Sequence, residues 1–288
     1  MNSDTSIGYG LGTANSKRGN KTELDEKIIN DTLAAIRSGY YHLDCAESYG
    51  NESELGTAIS RSGLPRSKFF ITTKTSCRPG ETIETAFSRS LQKLNLDYID
   101  LYLIHSPFFT PFSPQILQQK WSEMEAILAS GRARSIGVSN FLIPHLETIL
   151  QTAKVAPAVN QIEYHPYLQH KVGGEDLVGY CREKGIALEA YSPLAAVTRA
   201  QGGPVDGVYE RVAKKYGVTE GEVALRWCLD QGVVVLTTSK SEQRLQEWMN
   251  RLPRFKLTPR EIEEISEKGM EKHVRLWWTK EFDEGDRR

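Results

Sequence analysis

Apolar positions along the 288-residue chain follow two alternating rhythms. Short runs rich in β-branched and aromatic residues recur eight times, at 6–12, 40–44, 69–74, 98–105, 133–140, 157–163, 186–192 and 233–239. Their composition and length predict strands. Between them, apolar residues recur three and four apart, the spacing of one helix face. In 24–39, Ile28, Leu33 and Ile36 share such a face, and Gly39 ends the segment as a helix-terminating glycine would. In 82–95, Ile83, Phe87, Leu91 and Leu94 do the same. Segments 113–131 and 219–232 close on Gly131 and Gly232, and Thr219 stands three before Glu222, a capping-box spacing. Residues 203–217 and 257–270 read as two further helical segments. Eight β–α alternations with no low-complexity break predict parallel strands joined by crossover helices. A single closed (β/α)8 barrel over 1–288, with extra helical segments, fits that count; such barrels run to about 250 residues. An open doubly wound sheet is the alternative, but no early strand leads into G-x-G-x-x-G.

Composition adds little to this picture except exclusions. Charged residues make up 25% and the formal net charge is −1, so nothing points to nucleic acid or another polyanion. No stretch approaches the roughly 20 apolar residues of a membrane span, and residues 1–10 carry neither a basic start nor an apolar signal core. The expectation is a cytoplasmic protein, a monomer or weak dimer. Cys45, Cys77, Cys181 and Cys228 are scattered without C-x-x-C spacing and read as free thiols.

The polar residues change the picture most. In a barrel of this kind, chemistry collects where strands end in the C-terminal direction. Asp44 ends the second run, Lys74 the third and His105 the fourth. Ser139 and Asn140 end the fifth, Gln161 lies late in the sixth, and Tyr191 falls late in the seventh. Any one of these has an ordinary structural explanation; their coincidence on one rim is the signal. Asp44 and Lys74 make a plausible buried pair, since neither charge is tolerated alone. Tyr49 follows five residues after Asp44, near that lysine. Tyrosine is a weak acid, with an unperturbed pKa near 10, and a neighbouring ammonium is expected to lower it. His105 can bond a substrate oxygen or relay a proton. Together they suit a carbonyl oxygen becoming an alkoxide. A metal site is disfavoured: the six histidines lack ligand spacing, and Lys74 between Asp44 and His105 would repel a cation.

The stretches "LDCAESYGNESELGTAI", "FFITTK", "YIDLYLIHSP", "GRARSIGVSNF", "VNQIEYHP" and "LEAYSPLA" resemble, in order, the successive signatures of the aldo-keto reductase superfamily. The likeness covers about residues 6–270. It implies a (β/α)8 barrel that reduces aldehydes and ketones with NADPH, with Asp44, Tyr49, Lys74 and His105 catalytic and Tyr49 the proton donor. It implies that Ser139, Asn140 and Gln161 meet the nicotinamide carboxamide and that Tyr191 stacks on the ring. Ser192 and Leu194 fall near the pyrophosphate, and Gly12 and Thr13 on the turn beside the cofactor. Thr238, Ser239 and Arg244 fall on the 2′-phosphate segment. There Thr238 replaces the lysine common in the family, and Lys240 stands nearby in another register.

After Gly12 and Thr13, many relatives place a bulky aromatic residue. Here Asn15 and Ser16 follow Ala14, which implies a wider or more polar substrate side. Phe108, Phe109 and Phe112 are expected to line that side or to pack on the rim. The pieces "TTSKSEQR" and "EKHVRLWW" resemble a fungal branch of α-keto amide and conjugated polyketone reductases. Its implied substrates are activated ketones: α-dicarbonyls, keto amides and keto lactones. The tail from about 270 to 288 is expected over or beside the barrel mouth, with Trp277 and Trp278 either covering the mouth or docked on outer helices. The alternatives are an NADPH-binding, redox-sensing regulatory subunit and a ketoreductase of a biosynthetic pathway.

Overall fold

Eight parallel strands close on one another in a computed structural model that describes residues 6–17, 23–109, 113–283 and 285–288. The barrel strands are β1 (Ile7–Gly10), β2 (His42–Asp44), β3 (Phe70–Thr75), β4 (Ile99–Ile104), β5 (Ala133–Ser139), β6 (Val159–Glu163), β9 (Ala187–Tyr191) and β10 (Val234–Thr237). They follow chain order around the barrel, and β10 returns to pair with β1. The remaining strands, β7 (Lys171–Val172) and β8 (Glu175–Asp176), form a small antiparallel hairpin after β6.

Helices α1 (Glu26–Arg37), α2 (Glu52–Arg61), α3 (Ile83–Leu94), α4 (Pro114–Ala129), α5 (Ile143–Leu150) and α6 (Leu177–Glu183) carry the crossovers up to β9. Three helices, α7 (Ala195–Thr198), α8 (Asp206–Tyr216) and α9 (Glu220–Leu229), lie between β9 and β10. Helices α10 (Glu242–Arg251) and α11 (Pro259–Met270) follow. Local chemistry sets their ends. Asp25 caps α1 by accepting from the Lys27 and Ile28 N–H groups. Thr219 and Glu222 form the reciprocal box at α9. Gly39, Gly131 and Gly232, just past three helices, have φ of +95°, +76° and +75°, where a side chain would be strained.

The period of two along a strand decides what fills the bore. At the lower end, Leu101, Leu103 and Val159 pack with Phe70 and Ala187. Two residues further along β6 and β9, this apolar face gives way to polar side chains: Val159 is followed by Gln161 and Ala187 by Glu189. On β2 and β3 the bore face is polar already one step lower, with His42 followed by Asp44 and Thr72 by Lys74. An apolar plug thus carries a buried polar layer under the mouth. The hairpin and α7 leave no rhythm in the sequence: the hairpin strands have two residues each and α7 has four. Phe112 lies outside the described residues.

Candidate active site

Asp44 closes β2 and Lys74 lies on the adjacent β3, so their side chains meet in the bore. Lys74 is fully buried and Asp44 is 2% exposed. Lys74 Nζ donates to Asp44 Oδ1 at 2.7 Å and to the Cys45 carbonyl at 2.8 Å. Its third donor direction points at the Tyr49 hydroxyl, 3.4 Å away. Tyr49 is in a short 3₁₀ turn after β2 that ends on Gly50 at φ +70°. Its ring meets the His105 ring edge-on at a centroid distance of 5.5 Å. Gly12 lies against the same phenol: a Cβ there would stand 3.3 Å from Tyr49 Cζ. His105 follows β4, and Ser48 Oγ lies 3.1 Å from its Nδ1. The four groups therefore converge on one side of a single cleft.

Electrostatics follow from burial against this pair. Burial alone would pull the Lys74 ammonium down, but Asp44 and Tyr49 hold it above its ordinary value. The Tyr49 pKa is raised rather than lowered: burial outweighs the opposing pull of Lys74. The phenol is thus stored protonated, which corrects the expectation from the lysine alone. Burial and the Lys74 charge push His105 down to about 3, so its ring is neutral near pH 7.

That depression has a sign. An unfolded chain protonates this histidine near 6.5, while the folded protein refuses the proton until about 3. Stability attributable to His105 is therefore lost as pH falls through that window. Buried Glu52 and Glu189, raised by burial, act in the opposite sense. A comparison with His105→Gln isolates the term. Between pH 6.5 and 4.5 the variant should gain stability relative to the parent, read from urea midpoints. A constant difference would contradict a neutral, depressed His105.

Above the polar floor lie the expected cofactor residues. Gly12, Thr13, Ser139, Asn140, Gln161, Tyr191, Ser192, Leu194, Thr238, Ser239 and Arg244 all line one cleft of about 940 Å³ with Asp44, Tyr49 and His105. Asn140, at φ +63°, donates from Nδ2 to the His105 carbonyl and to Ser139 Oγ, and its Oδ1 accepts from the Tyr191 hydroxyl at 2.6 Å. Ser139 Oγ donates to the Gln161 carbonyl. The Thr238 hydroxyl is spent on the Gly10 carbonyl, across the closing pair of the barrel. Ser239 Oγ accepts from the Ser241 N–H, which opens α10. Phe108 and Phe109 line the opposite end.

Asn15 does not line the cleft. The turn in which its N–H bonds the Gly12 carbonyl sends the side chain inward. There Nδ2 donates to the Tyr9 hydroxyl at 3.0 Å, and the Asn15 carbonyl accepts from Asn51. Its small polar side chain is thus a packing element of the rim.

Two groups escaped the sequence reading, Arg199 and Glu189. Arg199, after α7, lines the cleft with Lys240 and Arg244, so the charge absent at Thr238 is supplied from other positions. Among the described residues, Asp44 is the one carboxylate that lines the cleft, and Lys74 neutralises it. Glu189 accepts from Gln161 Nε2 at 2.9 Å, and the same nitrogen donates to Asp44 Oδ2 at 2.9 Å. Gln161 is thereby oriented by two buried carboxylates. Trp277 and Trp278 also reach the cleft: Trp277 Nε1 donates to Ser192 Oγ at 3.0 Å, and the Trp278 ring lies 6.0 Å from His105. Arg199 and Glu189 occupy a helix end and a strand interior, where a charge usually signals solvent or a local pair.

A closed parallel barrel carrying this cleft defines an oxidoreductase of the (β/α)8 type. The chain belongs to the Aldo/keto reductase family, whose sequence model matches residues 6–269. It is 39% identical over 278 residues to the NAD/NADP-dependent indole-3-acetaldehyde reductase of Schizosaccharomyces pombe, covering 96% of this chain and 95% of the relative. It is 37% identical over 266 residues to the NADPH-dependent alpha-keto amide reductase of Saccharomyces cerevisiae, covering 89% and 84%. Its fold superposes on the crystal structure of a Bombyx mori aldo-keto reductase in complex with NADP, with a TM-score of 0.78 and 32% identity over 91% of this chain and 88% of that one.

Proposed function

We propose that the protein is an NADPH-dependent carbonyl reductase for activated ketones and aldehydes, with Tyr49 as the general acid. One observation carries the reading: a fully buried lysine joins a carboxylate to the hydroxyl of Tyr49 on the floor of a cleft whose other end is cationic. The residues fit the cofactor. Arg199, Lys240 and Arg244 suit phosphates, Tyr191 offers a ring face, and Gln161 keeps Oε1 as an acceptor for an amide because Nε2 is already committed. NADPH, when bound, supplies the hydride that goes to the carbonyl carbon. Tyr49 gives its proton to the carbonyl oxygen, so a ketone leaves as an alcohol. Lys74 stabilises the phenolate left behind, and Asp44 keeps Lys74 charged and aimed. His105, neutral and tied through Nδ1 to Ser48, holds the substrate oxygen near Tyr49.

The substrate end supports an activated or aryl-bearing carbonyl. Phe108, Phe109, Leu276, Trp277 and Trp278 make it apolar and aromatic. The two fungal relatives carry names that specify an indole aldehyde and keto amides. An electron-withdrawing neighbour lowers the barrier to hydride attack, which suits a phenol that is not a strong acid. Following NADPH absorbance against an α-keto amide, a keto lactone, isatin, indole-3-acetaldehyde and a plain ketone tests this. Turnover is expected on the first four. NADPH binding without turnover on any would favour the sensing subunit.

Arg244→Ala should raise the NADPH dissociation constant about 10-fold or more, the worth of a hydrogen bond to a charged group. NADH, lacking the 2′-phosphate, should bind within about 2-fold of the parent. Equal loss for both would remove Arg244 from the phosphate end.

A further inference from the structure

Glu163 is the last residue of β6 and lies two positions beyond Gln161, on the strand face that fills the bore. It is 1% exposed. Burying a carboxylate is costly unless something specific meets its charge. Leu276 N–H donates to Oε1 at 2.9 Å and to Oε2 at 3.2 Å, and Trp277 N–H donates to Oε2 at 3.1 Å. His165 Nε2 lies 3.1 Å from Oε1. The barrel rim thus presents its anion to the backbone of the C-terminal tail.

The tail needs such a partner. After α11, the described residues from 271 to 288 form no helix or strand, so their backbone groups have no ladder. One nearby anchor is the Val274 N–H, which bonds the Tyr167 carbonyl. Directly beyond the clamp, Trp277 Nε1 donates to Ser192 Oγ, and the Trp278 ring lies 6.0 Å from that of His105. The Trp278 ring sits 5.4 Å from Phe108, whose ring is 5.5 Å from Phe282. Every aromatic group of the tail that roofs the substrate end therefore hangs from a segment fastened at Glu163.

We propose that Glu163 is a positioning residue that latches the C-terminal tail to the end of β6 and so sets the shape of the substrate end through Trp277 and Trp278. The kinetic part rests on the carbonyl-reductase reading; the latch does not. Hydrogen bonds to a charged acceptor are about twice as strong as neutral ones, and small displacements of a binding wall cost turnover of substrates that use it.

The test variant is Glu163→Gln, which keeps the size but sets an amide NH2 against donors. KM for isatin, a planar bicycle chosen to pack against the aromatic roof, should rise roughly tenfold, the loss of one charge-assisted bond. KM for a small aliphatic α-dicarbonyl should change less than about 2-fold, and the NADPH dissociation constant likewise. In a double-mutant cycle, Glu163→Gln should add nothing to the isatin KM of Trp278→Ala, because both act through one wall. A second readout needs no turnover. Of the five tryptophans, Trp121, Trp227 and Trp248 are buried, so a rise in acrylamide quenching in the variant reports the roof. Raised quenching without any reductase activity would leave the latch standing and remove the reductase reading. Unchanged quenching with unchanged isatin KM, additive effects in the cycle, or an equal loss on all substrates would overturn the latch. If Glu163→Gln does not fold, Leu276→Pro deletes one donor, leaves the barrel carboxylate in place and is read in the same two ways.

Discussion

Tyr49→Phe should lower kcat for carbonyl reduction by about 10³-fold, within the 10²–10⁴ expected for a general acid, while NADPH affinity stays within about 2-fold. The variant keeps the ring, and with it the edge-on contact to His105 and the fit against Gly12. It removes one hydroxyl, whose contact with Lys74 is long at 3.4 Å. Little binding energy or stability is therefore at stake, and the loss falls on the proton. The acid has no substitute in reach. Lys74 is enclosed by Asp44 and the Cys45 carbonyl and held charged, and His105, being neutral, keeps only an imidazole N–H, which can hydrogen-bond but is far too weak an acid to replace the phenol. Fluorescence titration with NADPH beside single-turnover kinetics on an α-keto amide separates the two quantities. Equal losses in binding and turnover would mean that Tyr49 shapes the cleft and does not donate the proton.

Lys74→Met should be the more damaging change, abolishing turnover and destabilising the fold by about 3–5 kcal/mol, the usual cost of breaking a buried ion pair. Asp44 would remain 2% exposed with the Gln161 amide as its surviving side-chain partner, and that amide is shared with buried Glu189. A second carboxylate so close makes an uncompensated charge on Asp44 harder to bear. The Asp44→Asn, Lys74→Met double variant should recover part of the stability and none of the activity, since it removes the orphan charge without restoring the ammonium beside Tyr49. Urea unfolding of both variants, with turnover in parallel, checks this. A double variant no more stable than Lys74→Met would show that the pair is not the unit that matters for folding.

The barrel was legible because its information is local. Eight short apolar runs, amphipathic segments between them, Gly39, Gly131 and Gly232 at helix ends and the Thr219–Glu222 box need no knowledge of distant neighbours. The family likeness singled out Asp44, Tyr49, Lys74 and His105, and period-two strands explain why they meet, since strand ends in a closed parallel barrel share one rim. The direction of Asn15 was not legible: one turn at Gly12 decides whether that side chain faces the cleft or Tyr9. Nor was the company of Arg244. Arg199 and Lys240 reach the same cleft from separate loops, and their convergence depends on how β9 and β10 are followed outward. The raised pKa of Tyr49 required knowing how deeply the phenol is buried, because burial and the Lys74 charge oppose one another and their balance has no sequence signature. Glu163 and the tail are the sharpest case. The sequence by itself determined that a strand ends there and that two tryptophans lie near 277. Only the tertiary structure decided that the strand's last carboxylate would take the tail's backbone N–H groups, because a segment without helix or strand settles wherever a distant buried charge satisfies it.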